Sequence, residues 1–162
     1  MTGLSWPYAI AIDAPAGKMY WTDADAGKIQ RANLNGSGVD DLHTSVFSLG
    51  VAVDPADGSL CWTDITDIDG KIRRDGEVLL SGLEVPVSIA VDTESRRIYW
   101  LETNWDGINT RIRYLALDGS TVPEDAVTAG LSGLLIPIAV TEPATMGLLV
   151  LGGLAVIQRR RR

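Results

Sequence analysis

Three acids stand at matching points of this chain. Asp23, Asp64 and Glu102 close the stretches "KMYWTD" (18–23), "SLCWTD" (59–64) and "RIYWLE" (97–102). Asp23 and Asp64, together with Asp25, Asp67, Asp69 and Asp106, are expected to gather on one rim, and an oxygen-only cluster of that kind is the chemistry of a calcium site. The same carboxylates at strand ends can instead accept backbone N–H bonds from the turn that follows, which is the commoner use. Calcium is therefore the one cofactor the acids admit, and no metal ligand set is assigned. Other reactive groups are sparse. His43 is the single histidine and lies in a polar stretch, "DDLHTS", with no second histidine or thiol nearby, so zinc or triad chemistry has little support. Cys61 is the single cysteine, which rules out an internal disulfide; it stands where the other copies carry tyrosine and reads as a small buried hydrophobe. No catalytic residue is assigned.

The elements that position these acids repeat. Aligned on Trp21, Trp62 and Trp100, which lie 41 and 38 residues apart, each copy has an aspartate eight residues upstream: Asp13, Asp54 and Asp92. Each aspartate ends an alternation of small and branched residues, "AIAID", "GVAVD" and "SIAVD", suited to a tightly packed inner strand. Turn chemistry follows, then the aromatic-rich second strand with Tyr20 or Tyr99 beside the tryptophan, then a third strand blurred by arginines and a weaker fourth. The loop after the second strand lengthens from "DADAG" to "DITDIDG" to "ETNWDGINT", which places insertions on one face. A period near 40 residues is that of propeller blades. The expected fold class is all-β, a partial β-propeller of three four-stranded blades at about 6–45, 46–84 and 85–130, with the tryptophans packing between blades.

These residues resemble the YWTD repeat, the class B repeat of low-density-lipoprotein receptors. "YWTD" stands intact at 20–23; the second copy has Cys61 for the tyrosine, and the third has Leu101 and Glu102 for threonine-aspartate. The resemblance implies six four-stranded blades around an axis and a structural role for the motif aspartate. Three copies make half of such a ring, and "MTGLSWPYAIAID" has neither a basic region nor an apolar core of a signal peptide. Two expectations follow: a chain shortened at its N-terminus, or a homodimer of half-rings.

Residues 141–162, "TEPATMGLLVLGGLAVIQRRRR", differ in kind. A Glu-Pro element precedes an apolar run, Ala144 to Ile157, and four terminal arginines. As a helix the run is roughly 21 Å long, short of a ~30 Å hydrocarbon core, and snorkelling arginines would extend it. This tail resembles a PEP-CTERM sorting signal, carried by Glu142, Pro143, Ala144 and Arg159, Arg160, Arg161 and Arg162, with Thr141 in place of the first proline. The resemblance implies a C-terminal hydrophobic transmembrane helix, recognition by an exosortase, and passage through the inner membrane of a Gram-negative bacterium to the periplasm, cell surface or extracellular matrix. Residues 131–140 then form a spacer.

Charge narrows the partners. The chain carries a net −7, but four of its 14 bases and one of its 21 acids lie in the tail, leaving the body near −10. An acidic body repels phosphate backbones, which argues against nucleic acid. The expected function is a non-enzymatic, exported binding module for a protein or glycan partner, presenting loops 23–27, 64–70 and 102–110. The rivals are a metal-dependent, gluconolactonase-like hydrolase, for which Asn33, Asn35, Asn104 and Asn109 are candidates by residue type, and a matrix protein without a specific ligand.

Overall fold

The computed structural model describes residues 3–105, 109–131, 138–140, 147–150 and 155–158. They form four antiparallel sheets. The first is β1 (Pro7–Asp13), β2 (Lys18–Asp23), β3 (Lys28–Asn33) and β4 (Asp40–Thr44); the second is β5 (Val51–Val53), β6 (Leu60–Asp64), β7 (Gly70–Arg74) and β8 (Glu77–Leu83); the third is β9 (Val85–Asp92), β10 (Arg97–Thr103), β11 (Thr110–Ala116) and β12 (Glu124–Leu131). Each runs in simple sequence order, and β1, β5 and β9 lie side by side as a row of inner strands.

Register makes the three sheets equivalent. Trp21 pairs with Ile10 and Gln30, Trp62 with Val51 and Arg73, Trp100 with Ile89 and Arg113. Because side chains alternate across a strand, each tryptophan shares a face with a branched inner residue. The opposite face carries Ala9, Gly50 or Ser88, then Ala11, Ala52 or Ala90, with Ile29, Ile72 or Ile112 on the third strand. The bulky face of one sheet packs into the small face of the sheet before it. Trp62, Val51 and Leu60 pack with Tyr20 and Ile29 beside Ala9 and Ala11. Trp100, Ile89 and Ile98 pack with Ala52, Cys61 and Ile72. Trp62, Trp100, Ile29, Ile72, Ile98 and Ile112 are fully buried, which is where the apolar area that stabilises the fold is removed from water.

The first hairpin of each sheet is turned by the upstream aspartate. Asp13 accepts from Ala16 N–H at 3.0 Å, Asp54 from Ala56 N–H at 3.0 Å, and Asp92 from Glu94 N–H at 3.0 Å and Ser95 N–H at 3.2 Å. Four residues after the aspartate the backbone is left-handed: Gly17 and Gly58 in the first two sheets, but Arg96, at φ 53°, in the third. Arg96 compensates by reaching back across the sheets to the buried Asp54 at 2.9 Å. Arg74 joins the same seam, donating to the Leu117 carbonyl at 3.2 Å and pairing with Asp57 at 2.5 Å.

Beyond the third sheet, β13 (Ile138–Val140), β14 (Gly147–Val150) and β15 (Ala155–Gln158) form a small sheet, and β13 lies against β9. The hydrophobic helix expected over 144–157 is corrected: its described residues are strands. Gly152 and Gly153 divide the run, each costing a helix about 1 kcal/mol against alanine, and Val150, Val156 and Ile157 favour extended backbone. Among the described residues no helix is long and apolar enough to cross a membrane. In the region expected as a spacer, 131–140, the described residues are the end of β12 and strand β13.

Closeness of the inner strands gives a sharp expectation. A Cβ on Gly50 would lie 2.7 Å from the Val87 carbonyl oxygen and 3.1 Å from Ile89 N, both backbone atoms of β9. Gly50→Ala should lower stability by about 1–3 kcal/mol, read as a reduced urea midpoint. An unchanged midpoint would show that β5 and β9 are not packed this tightly.

Candidate functional site

The three motif acids sit at one end of the sheets, where the second strand finishes and the inner strand begins. Each is buried and each is fully engaged within the protein. Asp23 accepts from Ser5 and Trp6 N–H, both at 2.8 Å, and from Ala26 N–H at 3.3 Å, so it fixes the entry of β1 and the start of the next loop together. Glu102 accepts from Glu84 N–H at 3.4 Å, at the matching entry of β9, and also from Trp100 Nε1 at 3.2 Å and Arg111 and Arg113 at 3.0 and 3.2 Å. Asp64 takes Thr66 N–H at 3.0 Å and Arg73 Nε at 2.6 Å, while the Thr66 hydroxyl accepts from Phe47 N–H at 2.8 Å, at the entry to β5.

Burial works to raise all three carboxyls, but the hydrogen bonds outweigh it. Asp23 is held below the ordinary carboxylate value by the N–H groups of Trp6, Ser5 and Ala26 and the charge of Lys28. Thr66 and Arg73 do the same for Asp64, and Arg111, Trp100 and Arg113 for Glu102. Ionised and satisfied, these groups brace the strands. The calcium expectation finds no site here: among the described residues no three acids converge where they could hold an ion, since Asp67 pairs with Lys71 at 3.0 Å and Asp69 accepts from Gly82 N–H at 2.7 Å. Asp106 lies outside the described residues, as do Glu142, Pro143, Ala144 and Arg159–Arg162.

The remaining predicted residues fall as follows. Tyr20 is buried against the second sheet, and Tyr99 stacks at 5.5 Å on Tyr114. Trp21 donates to Gln30 at 3.0 Å. Trp62 is covered by His43, their ring centroids 4.3 Å apart, and burial holds His43 below its usual pKa. Cys61 is fully buried and its thiol is pushed up to about 12 by that burial, so it is not a nucleophile near neutral pH. The asparagines do not converge. Asn33 and Asn35 bond within the β3–β4 turn, whereas Asn104 and Asn109 close the β10–β11 loop at the opposite end of the sheets.

What the acids frame is an apolar rim. Trp6, Ile68 and Trp105 are 46%, 89% and 65% exposed at the strand end that carries Asp23, Asp64 and Glu102. Trp6 is steadied edge-on by Tyr8 at 5.9 Å and Phe47 at 6.3 Å. Asp25, Asp67 and Asp69 are exposed beside them in the same loops. The sequence placed the loops but not these side chains; the available signal was an isoleucine between two aspartates in "DIDG" and a tryptophan inside the polar "ETNWDG".

Residues 17–45 match the low-density lipoprotein receptor repeat class B, and residues 139–162 match the PEP-CTERM protein-sorting motif. The chain thus carries a match to the class B (YWTD) repeat and a match to the PEP-CTERM motif on an all-β, propeller-like fold. Over 127 residues it is 30% identical to a low-density lipoprotein receptor-related protein 1 of Pyricularia oryzae, covering 62% of this chain and 41% of that protein. It is 38% identical over 66 residues to low-density lipoprotein receptor-related protein 5 of Mus musculus, covering 40% of this chain and 4% of that protein. It thus spans less than half the length of these relatives. A chain of a nidogen/laminin complex superimposes with a TM-score of 0.68 at 21% identity, covering 92% of this chain and 57% of that one. A gluconolactonase from Xanthomonas campestris gives 0.61 at 18% identity, covering 76% and 48%. At such identities these superpositions show the propeller fold alone.

Two outcomes follow from the YWTD acids and from Cys61. A carboxyl held low in the folded state adds stability above its unfolded pKa, and that stability is lost as pH falls through the folded value. Melting temperature should therefore drop as pH falls below about 4.5. Glu102→Gln should cost about 1–2 kcal/mol at pH 7 and flatten that profile; a variant profile as steep as the parent's would remove Glu102 from the account. Cys61 should resist a thiol reagent in the native protein and react in full after denaturation; rapid native labelling would contradict its burial.

Proposed function

We propose that this propeller-like chain is an exported, envelope- or surface-associated binding module, sorted by an exosortase through its PEP-CTERM tail, and that it works without catalysis. The observation carrying this is the rim of Trp6, Ile68 and Trp105, large apolar groups held in water on a braced scaffold among exposed acids. Such groups are typical interface anchors, and surrounding charge selects a partner of opposite sign. A protein partner with a basic margin and an apolar centre fits best, because Ile68 offers no ring to a sugar. A nidogen relative is seen in a complex with laminin, which supports the same direction by fold-level analogy. The rings of Trp6 and Trp105 also offer stacking surfaces, and they make a matrix glycan the second reading. The hydrolase reading draws no support from the asparagines, which lie at opposite ends of the sheets.

The test uses immobilised full chain against fractionated envelope proteins and, separately, purified matrix polysaccharides. Trp105→Ala and Ile68→Ala should each weaken capture about tenfold or more, close to 1.4 kcal/mol, with melting temperature unchanged. Capture indifferent to both substitutions would refute the rim as the binding surface.

A further inference from the structure

The turn between β3 and β4 reads "NLNGSG", residues 33–38, and holds the one Asn-Gly pair of the sequence. Asn35 is exposed there, and Gly36 takes a left-handed φ of 83°. The Asn35 side chain is held in one pose. Its Oδ1 accepts from Ser37 N–H at 3.0 Å and from the Ser37 hydroxyl at 2.7 Å. The same hydroxyl accepts from Asn33 Nδ2 at 2.9 Å, and Asn33 Oδ1 in turn accepts from Lys18 Nζ at 2.6 Å. These groups form a relay of donors running in one sense, from the Lys18 ammonium to the Asn35 carbonyl oxygen. Hydrogen bonds aligned in this way polarise one another.

We propose that Asn35 is a self-modification site, where the side-chain amide is exchanged for a carboxylate by the neighbouring backbone, with water as the co-reactant. The Gly36 nitrogen gives its proton to solvent base and bonds to Asn35 Cγ. The Cγ–Nδ2 bond then breaks, the amide nitrogen leaves as ammonia, and a five-membered succinimide remains. Water opens that ring at either carbonyl, leaving aspartate or, where the chain now runs through the side chain, isoaspartate. Negative charge develops on Oδ1 as Cγ becomes tetrahedral, and both Ser37 donors are already bonded to that oxygen. Gly36 suits the attacking position because no Cβ screens its nitrogen. The other asparagines precede Leu34, Trp105 and Thr110, whose side chains do screen it. One contact opposes the step: Gly36 N–H donates to the Asn33 carbonyl at 2.8 Å, and this bond must open first. In an exposed turn that opening is local and leaves the packed sheets intact. Each event adds a negative charge at the end of the Lys18 relay, and isoaspartate also inserts a methylene into the backbone. The turn therefore records the age of each molecule, at the end of the sheets opposite the apolar rim, since β3 starts beside Asp23 and ends at Asn33.

The test incubates the full chain, native and in urea, in mildly alkaline buffer. Peptide mass mapping follows each asparagine, and enzymatic methylation of isoaspartate gives a second readout. In the native parent, conversion should accumulate at Asn35 while Asn33, Asn104 and Asn109 stay amides. Ser37→Ala keeps the backbone donor and removes the hydroxyl; it should slow native conversion about three- to tenfold, the worth of one hydrogen bond to the developing oxyanion. In urea the parent and the variant should convert at equal rates, because the relay is then gone. A native parent that shows no conversion at Asn35 overturns the proposal; so does a native Ser37→Ala protein that converts as fast as the parent or faster. A rate difference in urea as large as in the native state would trace the effect to local sequence and refute the part given to the folded turn.

Discussion

A face carrying a tryptophan and branched residues presses, twice in this protein, into a neighbour whose inner strand is nearly bare of side chains. That difference in bulk sets the separation of the sheets. It needs alanine at positions 11 and 52 and glycine at 50, because the backbones of β5 and β9 approach too closely at Gly50 for even a methyl group. Interiors packed at crystal-like density tolerate little change of volume. The tryptophans are therefore spacers as much as core residues, and their recurrence every 38 to 41 positions follows from the strands needed to return the chain to an equivalent face.

The acids work on the same problem from the strand ends. A buried carboxylate is costly unless its lone pairs are met. Here they are met by backbone N–H groups just before the inner strands, the groups that would otherwise be orphaned as the chain passes from one sheet to the next. Asp23 and Glu102 do this directly, and Asp64 leaves part of the task to the Thr66 hydroxyl. The loops beyond are thereby anchored at their roots, and they can present Ile68 and Trp105 to solvent without disturbing the packing beneath.

Much of this was legible because it repeats. Three aspartates at a fixed interval from three tryptophans marked the three four-stranded sheets, their strand order and the inner strand, since a periodic signal survives local noise; the small β13–β15 sheet lies outside the repeat. What does not repeat was hidden. His43 covers Trp62 across a sheet boundary, and nothing in "DDLHTS" marks it for that place. Arg96 reads as an ordinary turn residue until Asp54, 42 positions earlier, is found beside it. The exposure of Trp6 and Trp105 depends on which loop faces water, a property of the assembled sheets. In the tail, an apolar run and the resemblance to a sorting signal suggested a helix; the paired glycines and the β-branched residues in the sequence carried the opposing information.

Arg96 has an implication for how such chains diversify. In two of the three hairpins the left-handed position belongs to glycine, which any neighbour can accept. In the third, an arginine tolerates the strained backbone while satisfying a carboxylate that belongs to the preceding unit. The second and third units are consequently not interchangeable modules. Duplication or transplantation of either one alone would leave Asp54 with only the more distant Arg74, at 4.0 Å, or leave a strained arginine with nothing to hold, so recombination that respects this fold should carry the two as a single inherited block.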